Sequence, residues 1–229
     1  MHAVLEAADF AAWRDAAAVP ASQRHHVVAA LEKFGLNPSD AGIVQTGALV
    51  AAALNAPLPG IATLAGLDAS RRVAEMEFHF RLGRTRLPAL YALLERHGYP
   101  RPHPSAHAGE IEGLMHGYID LVYRDDAGAF RVLDYKTNDL RGRYDVHALR
   151  EAVTQNDYDL QYLIYLVALQ RWLKLRLGDA YDPEKHLGGA VYLFLRGLRS
   201  GDGETGIHRD RPSQPLIDAL DALFDGGEA

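Results

Sequence analysis

Asp120, Asp134 and Lys136 are the residues of this chain whose types and spacing can do chemistry together. Each acid lies inside a short apolar run, Asp120 in Tyr118 to Tyr123 and Asp134 in Phe130 to Tyr135. The runs are separated by Arg124-Asp125-Asp126-Ala127-Gly128-Ala129. Runs rich in Val, Ile, Tyr and Phe on either side of a polar Asp/Gly segment predict a β-hairpin. An ionised carboxylate in a strand that otherwise wants burial is costly unless a cation or hydrogen bonds compensate it. Lys136 follows Asp134 by two, so both project from the same face of the strand. Two acids on neighbouring strands, with an ammonium beside one of them, describe a metal site suited to a phosphate ester. The ordinary alternative for acids near a hairpin is a solvated turn. Against it stand D-Y-K after the turn, Gly117 before the first acid, and Gln161 and Tyr165 on the next helix. The last two are four residues apart and so share a helix face.

The elements that must hold these groups follow from periodicity. Tyr158 to Leu177 is the strongest helical pattern, with Leu160, Leu163, Ile164, Val167, Ala168, Leu173 and Leu177 at helical spacing and Gly178 as its stop. Gly188 to Leu195 is an unbroken apolar run that predicts a buried central strand. Arg72 to Leu82 alternates, with Val73, Glu75, Glu77 and His79 on one face and Met76, Phe78 and Phe80 on the other, which predicts a half-buried strand. Further helices are predicted over Met1 to Ala18, Ser22 to Phe34, Ser39 to Leu54, Leu87 to Arg96, Tyr144 to Ala152 and Pro215 to Phe224. Within the first of these, His2 and Glu6 lie one turn apart. Pro57 to Asp68, Arg101 to Gly109 and Arg196 to Gly206 read as loops. His103, His107 and His116 lack a compact zinc spacing and are taken as non-ligands. One mixed sheet flanked by helices is the simplest layered solution for this order.

Composition sets outer limits. The 229 residues are long enough for a large packed core, and they contain no cysteine. Disulfides, thiolate zinc sites and an iron–sulfur cluster are thereby excluded, and a reducing cytoplasm is the expected compartment. No apolar run approaches the length of a membrane span, and no signal-peptide pattern opens the chain, so no membrane partner is expected. The formal net charge is −6, the wrong sign for a protein that holds nucleic acid by bulk charge alone. Basic clusters at Arg71-Arg72, at Arg81, Arg84 and Arg86, and at Arg141 and Arg143 remain available to phosphates, although solvated surface is the ordinary reading of each.

Five blocks in order carry a family resemblance: R-V-A-E-M-E-F, G-Y-I-D-L-V-Y, L-D-Y-K-T-N, Y-D-L-Q-Y-L-I-Y and G-G-A-V-Y-L-F-L-R-G. They resemble the PD-(D/E)XK nucleases, and within them the nuclease domains of RecB-type helicase–nuclease subunits, the β subunits of exodeoxyribonuclease V. The likeness runs over nearly the whole chain and is strongest from Glu75 to Gly197. It implies an α/β, restriction-endonuclease-like fold with a mixed central sheet. A single domain over 1–229 is expected, with a helical part over 1–70, a core over 71–200 and a C-terminal loop and helix over 201–229. By motif, Asp120 and Asp134 would bind the metal, with His2 (from an opening H-A-V-L-E that resembles the family's H-x-x-L-E helix) and the backbone carbonyl of Tyr135 completing the set. Lys136 is the motif lysine, Glu75 matches the acid of the first strand, and Gln161 and Tyr165 match a Q-x-x-x-Y helix.

The resemblance implies Mg²⁺, with Mn²⁺ admissible, and metal-dependent hydrolysis of DNA phosphodiesters. Lys136 would position or help deprotonate the attacking water, or neutralise developing phosphate charge. The implied partners are DNA, RecC- and RecD-like subunits and the RecA recombinase, in double-strand break repair and recombination. No G-x-x-x-x-G-K-[ST] phosphate loop is present, so the family's motor is not in this stretch, and further sequence is expected to precede His2. Two rivals remain: a docking module on a nuclease fold, and a stand-alone nuclease of the same superfamily.

Overall fold

The computed structural model describes residues 1–100, 109–199 and 202–227. In chain order the elements are α1 (His2–Ala7), α2 (Arg24–Lys33), α3 (Asp40–Leu54), β1 (Arg72–Arg86), α4 (Leu87–Arg96), β2 (Glu110–Arg124), β3 (Phe130–Lys136), α5 (Val146–Gln155), α6 (Tyr158–Leu177), α7 (Pro183–His186), β4 (Leu187–Phe194), β5 (Ile207–Asp210) and α8 (Gln214–Phe224). The strands form one sheet in the order β1-β2-β3-β4-β5, with only the β3–β4 pair parallel. A parallel pair needs a long crossover, and α5 and α6 supply it.

Each face of the sheet carries its own core. On one side Val132, Ala190 and Tyr192 pack with α4, α5, α6 and α8. On the other Leu121, Leu133, Tyr135, Val191 and Leu193 pack with Phe10, Trp13 and α1 to α3. β4 is buried along its whole length because both faces are covered, which is why its sequence is a continuous apolar run.

Three expectations need correction, and one strand was not predicted. The helix predicted over Met1 to Ala18 stops at Ala7; the Asp9 side chain accepts from Ala11 N–H and starts a separate 3₁₀ turn over Phe10–Trp13. β1 runs four residues past Leu82, and β2 begins eight residues before Tyr118, because the two arms pair with each other from Arg86–Glu110 inward. That part of β2 is polar and Gly-containing, so its strand character comes from the ladder rather than from composition. β5 begins directly after the predicted loop of Arg196 to Gly206, in a stretch for which no element is predicted, and it closes the far edge against β4. The predicted loop of Arg101 to Gly109, with His103 and His107, falls outside the described residues except for Gly109.

The long hairpin turns over at one point. Met76, Phe78, Phe80 and Leu82 belong to the α6-side core, whereas Ala74 packs against the opposite one. Strict alternation would put all five on one face. The reversal falls at Glu75, a non-glycine residue with φ 47°, and the ladder pairs Ala74 with Leu121 and Met76 with Ile119 across it. Ile119 and Leu121 divide between the two cores in the same way. Both strands therefore change face at Glu75 and Asp120, the two positions that carry acids. Nearby, a side chain at Gly117 would meet the Phe78 ring at 2.8 Å, so this glycine lets the ring lie flat on β2.

Candidate metal centre

Asp134 and Lys136 leave β3 on its α6 side, as the two-residue spacing requires. Lys136 Nζ lies 2.7 Å from Asp134 Oδ2 and donates to Gln161 Oε1 at 2.8 Å. Gln161 Nε2 in turn donates to the Tyr165 hydroxyl at 2.9 Å, one turn along α6. The ammonium also lies 4.0 Å from the ring centre of Tyr158 and 4.8 Å from that of Tyr192, and the Tyr192 hydroxyl donates to Gln161 Oε1 at 2.9 Å. Lys136 is thus fixed by a carboxylate, an amide and two aromatic faces, which compensates for burying its charge.

The second acid is held from the other side. Asp120 Oδ2 accepts the Tyr135 backbone N–H at 2.9 Å, so the residue between Asp134 and Lys136 orients the carboxylate of the neighbouring strand. α1 brings His2 to the same point: its Nε2 donates to the Tyr135 carbonyl at 2.7 Å and stands 3.4 Å from Asp120 Oδ2. One ligand atom from each of His2, Asp120 and Asp134 lies within 4.8 Å of the others. Two carboxylates, one imidazole and an adjacent backbone carbonyl make a small, mostly oxygen donor set, which fits Mg²⁺ and admits Mn²⁺.

The electrostatics fit a cation as well. Burial, reinforced by the charge of Asp120, pushes the Asp134 carboxyl from 3.8 up to about 6, with Lys136 pulling the other way. The contact with Asp120 raises the His2 imidazole above its usual value. Partial burial and then the charge of Asp120 raise Glu75. Two acids in one place, one of them buried, lack a counter-charge that a single ammonium does not fully supply.

The predicted residues Asp120, Asp134, Tyr135, Lys136, Gln161, Tyr165 and His2 thus converge. Glu75 lies beside them, close enough to feel Asp120 and His2, and is not among the mutually close ligand atoms. Its positive φ stores strain where the hairpin turns over. His116 is elsewhere, against Glu77 at 2.9 Å. Tyr158 and Tyr192 were not predicted. Tyr158 had a signal, since 158, 161 and 165 share a helix face. Tyr192 had none, because its place opposite Asp134 depends on the β3–β4 register.

A five-stranded mixed sheet between helical layers, with D-Y-K on a central strand facing an acid on the next, defines a class of nuclease. The chain belongs to the PD-(D/E)XK nuclease superfamily, which it matches over residues 1–225. RecBCD enzyme subunit RecB of Escherichia coli (strain K12) is 36% identical over 184 residues, 77% of this chain and 15% of that protein. RecB of Haemophilus influenzae is 40% identical over 126 residues, 54% of this chain and 10% of that protein. RecB of Mycobacterium tuberculosis (strain H37Rv) is 38% identical over 126 residues, 51% of this chain and 11% of that protein. The chain therefore spans 15% or less of the length of these relatives. Among the described residues no helix is long and apolar enough to cross a membrane.

The raised Asp134 carboxyl gives a signed pH prediction for the metal-free protein. A carboxyl whose folded pKa lies above its unfolded one destabilises the fold as it ionises. That penalty is absent below about pH 4, complete above about pH 6, and worth about 3 kcal/mol for a shift of this size. Asp134→Asn, which cannot ionise, gains stability relative to the wild type as pH rises through this window. Thermal unfolding in EDTA at about pH 4 and about pH 7 reads the difference, and a difference that stays constant contradicts the assignment. Cation binding makes the opposite demand, an ionised Asp134 and a neutral His2, so affinity weakens as pH falls below about 6.

Proposed function

We propose that this chain is a Mg²⁺-dependent deoxyribonuclease domain of the exodeoxyribonuclease V type, with Mn²⁺ as a competent substitute. In this reading it works within a RecBCD-like helicase–nuclease with RecC- and RecD-like subunits, in the cytoplasm, and meets the RecA recombinase during double-strand break repair. The observation that carries the reading is the convergence of His2, Asp120 and Asp134 within 4.8 Å, with Lys136 Nζ 2.7 Å from Asp134. The name of the relatives, RecBCD enzyme subunit RecB, supports the complex, and membership of a nuclease superfamily supports a nucleic-acid substrate.

His2, Asp120, Asp134 and the Tyr135 carbonyl would hold a divalent cation, which when bound would supply Lewis-acid polarisation of a phosphoryl group and a lower pKa for a water. The chain's own residues do the rest. Lys136, held between Asp134 and Gln161, places a positive charge beside the two carboxylates, where it stabilises negative charge gathering on phosphate oxygens. Gln161 is locked by Tyr165 and Tyr192, so the ammonium does not have to be reordered at the moment of reaction. The Tyr135 N–H holds Asp120 in its orientation, in the manner of an outer-layer partner at a metal site.

The test is incubation of linear and circular single-stranded DNA with this chain, in Mg²⁺ and in EDTA. Cutting in Mg²⁺ and none in EDTA is expected, and cutting of the circle identifies an endonuclease. Absence of cutting together with absence of Mg²⁺ binding by calorimetry would falsify the reading.

A further inference from the structure

We propose that the cavity beside His2 is a seat for the nucleobase flanking the cut phosphodiester, stacked on Phe34. This deepens the DNA-hydrolysis reading and rests on it. The cavity holds about 280 Å³ and is walled by Met1, His2, Leu31, Phe34, Leu36 and Thr137. That is below the usual volume of a drug-sized site, about 300 to 1,000 Å³, and suits one heterocycle with part of its sugar.

The place of the cavity carries the proposal. His2 is at once a wall of the cavity and the imidazole of the candidate metal set. Thr137 directly follows Lys136. A strand whose phosphate lies against the His2, Asp120 and Asp134 donor set therefore has this cavity beside it, and the group nearest a phosphate on a strand is a nucleoside.

The lining matches that occupant. Phe34 and Leu36 flank the turn that ends α2, and they are 62% and 57% exposed, although the adjoining Leu31 is buried. Gly35, at φ 69°, makes the turn, so neither neighbour has to be large and apolar to end the helix. Lys33 Nζ lies 5.9 Å from the Phe34 ring centre. An exposed aromatic ring with a cation over one face is a combination that holds single strands, the other face of the ring taking a base and the charge taking the backbone. A ring face stacks on any base, so the seat is sequence-tolerant. It takes a base that is not paired, and so favours a splayed or single strand.

The test is a binding cycle in Ca²⁺, with fluorescence anisotropy on labelled d(T)12 and on an abasic tetrahydrofuran phosphodiester of the same length. Phe34→Ala weakens d(T)12 binding about tenfold, the loss of one base stack. It changes binding of the abasic strand less than about twofold, and Phe34→Trp restores d(T)12 binding. Equal losses on both strands, no loss on either, or no binding of d(T)12 by the wild type each overturn the seat. So does a Phe34→Ala effect confined to self-association in light scattering, which would make the patch a protein contact. Cleavage in Mg²⁺ separates the two readings. A wild type that cuts without the base-dependent cycle loses only the seat, and a wild type that shows the cycle without cutting loses only the hydrolysis.

Discussion

Lys136→Ala and Asp134→Ala are each expected to lower the rate of Mg²⁺-dependent DNA cleavage by about 10³-fold or more while the protein stays folded. The two substitutions remove different things. Lys136→Ala leaves the His2, Asp120 and Asp134 donor atoms in place, so Mg²⁺ still binds and the loss falls on turnover. Asp134→Ala removes a donor, so calorimetric Mg²⁺ affinity falls together with the rate. Neither change should unfold the chain. Without Asp134, Lys136 keeps Gln161 and the rings of Tyr158 and Tyr192. Without Lys136, the already raised Asp134 carboxyl can take up a proton rather than remain a bare buried charge. A purified, folded Lys136→Ala protein that still cuts within about tenfold of the wild type would remove the ammonium from the chemistry.

The second large effect lies away from the site. Asp125, in the β2–β3 turn, is only 3% exposed. Its Oδ1 accepts the N–H groups of Ala127 and Ala129 at 3.0 and 2.9 Å, and its Oδ2 takes Arg131 Nε and Nη2 at 3.1 and 3.0 Å. Gly60 packs so closely on it that a side chain there would meet the carboxylate at 2.6 Å, and Gly60 also accepts the Asp126 N–H. The acid therefore closes the hairpin that carries Asp120 and Asp134 and ties it to the loop that follows α3. Asp125→Ala leaves the mostly buried Arg131 without its counter-charge, holding the Gly188 carbonyl, and orphans two N–H groups, and such a removal costs about 3–5 kcal/mol. For a chain of this length that lowers Tm by roughly 6 to 20 °C. Adding Arg131→Met should recover part of the loss, because the uncompensated charge goes with it. A drop below about 2 °C for Asp125→Ala would show that the pair contributes little.

Much of the strand pair that carries Asp120, Asp134 and Lys136 was legible because its determinants are local. Alternation alone puts Asp134 and Lys136 on one face of β3, four-residue spacing alone puts Gln161 and Tyr165 on one face of α6, and the Asp/Gly segment alone predicts the turn between the acids. The unbroken apolar run of β4 announced burial on two faces, and β4 is buried throughout. His2 entered by resemblance to a family motif, since nothing in a histidine near the start of a helix names its partner. Tertiary structure decided what depends on segments far apart in sequence. Packing of α1 brings His2 to Tyr135 and Asp120, and the parallel register sets Tyr192 opposite Asp134. Pairing with β1 makes a strand of the polar residues before Tyr118, and the turnover at Glu75 and Asp120 needs both strands at once. Asp125 makes the same point most sharply: its composition and neighbours read as a solvated turn, and only the approach of Gly60 and Arg131 makes it a buried charge. Local spacing fixes which way a side chain points, whereas what it meets there depends on segments whose contacts no local pattern encodes.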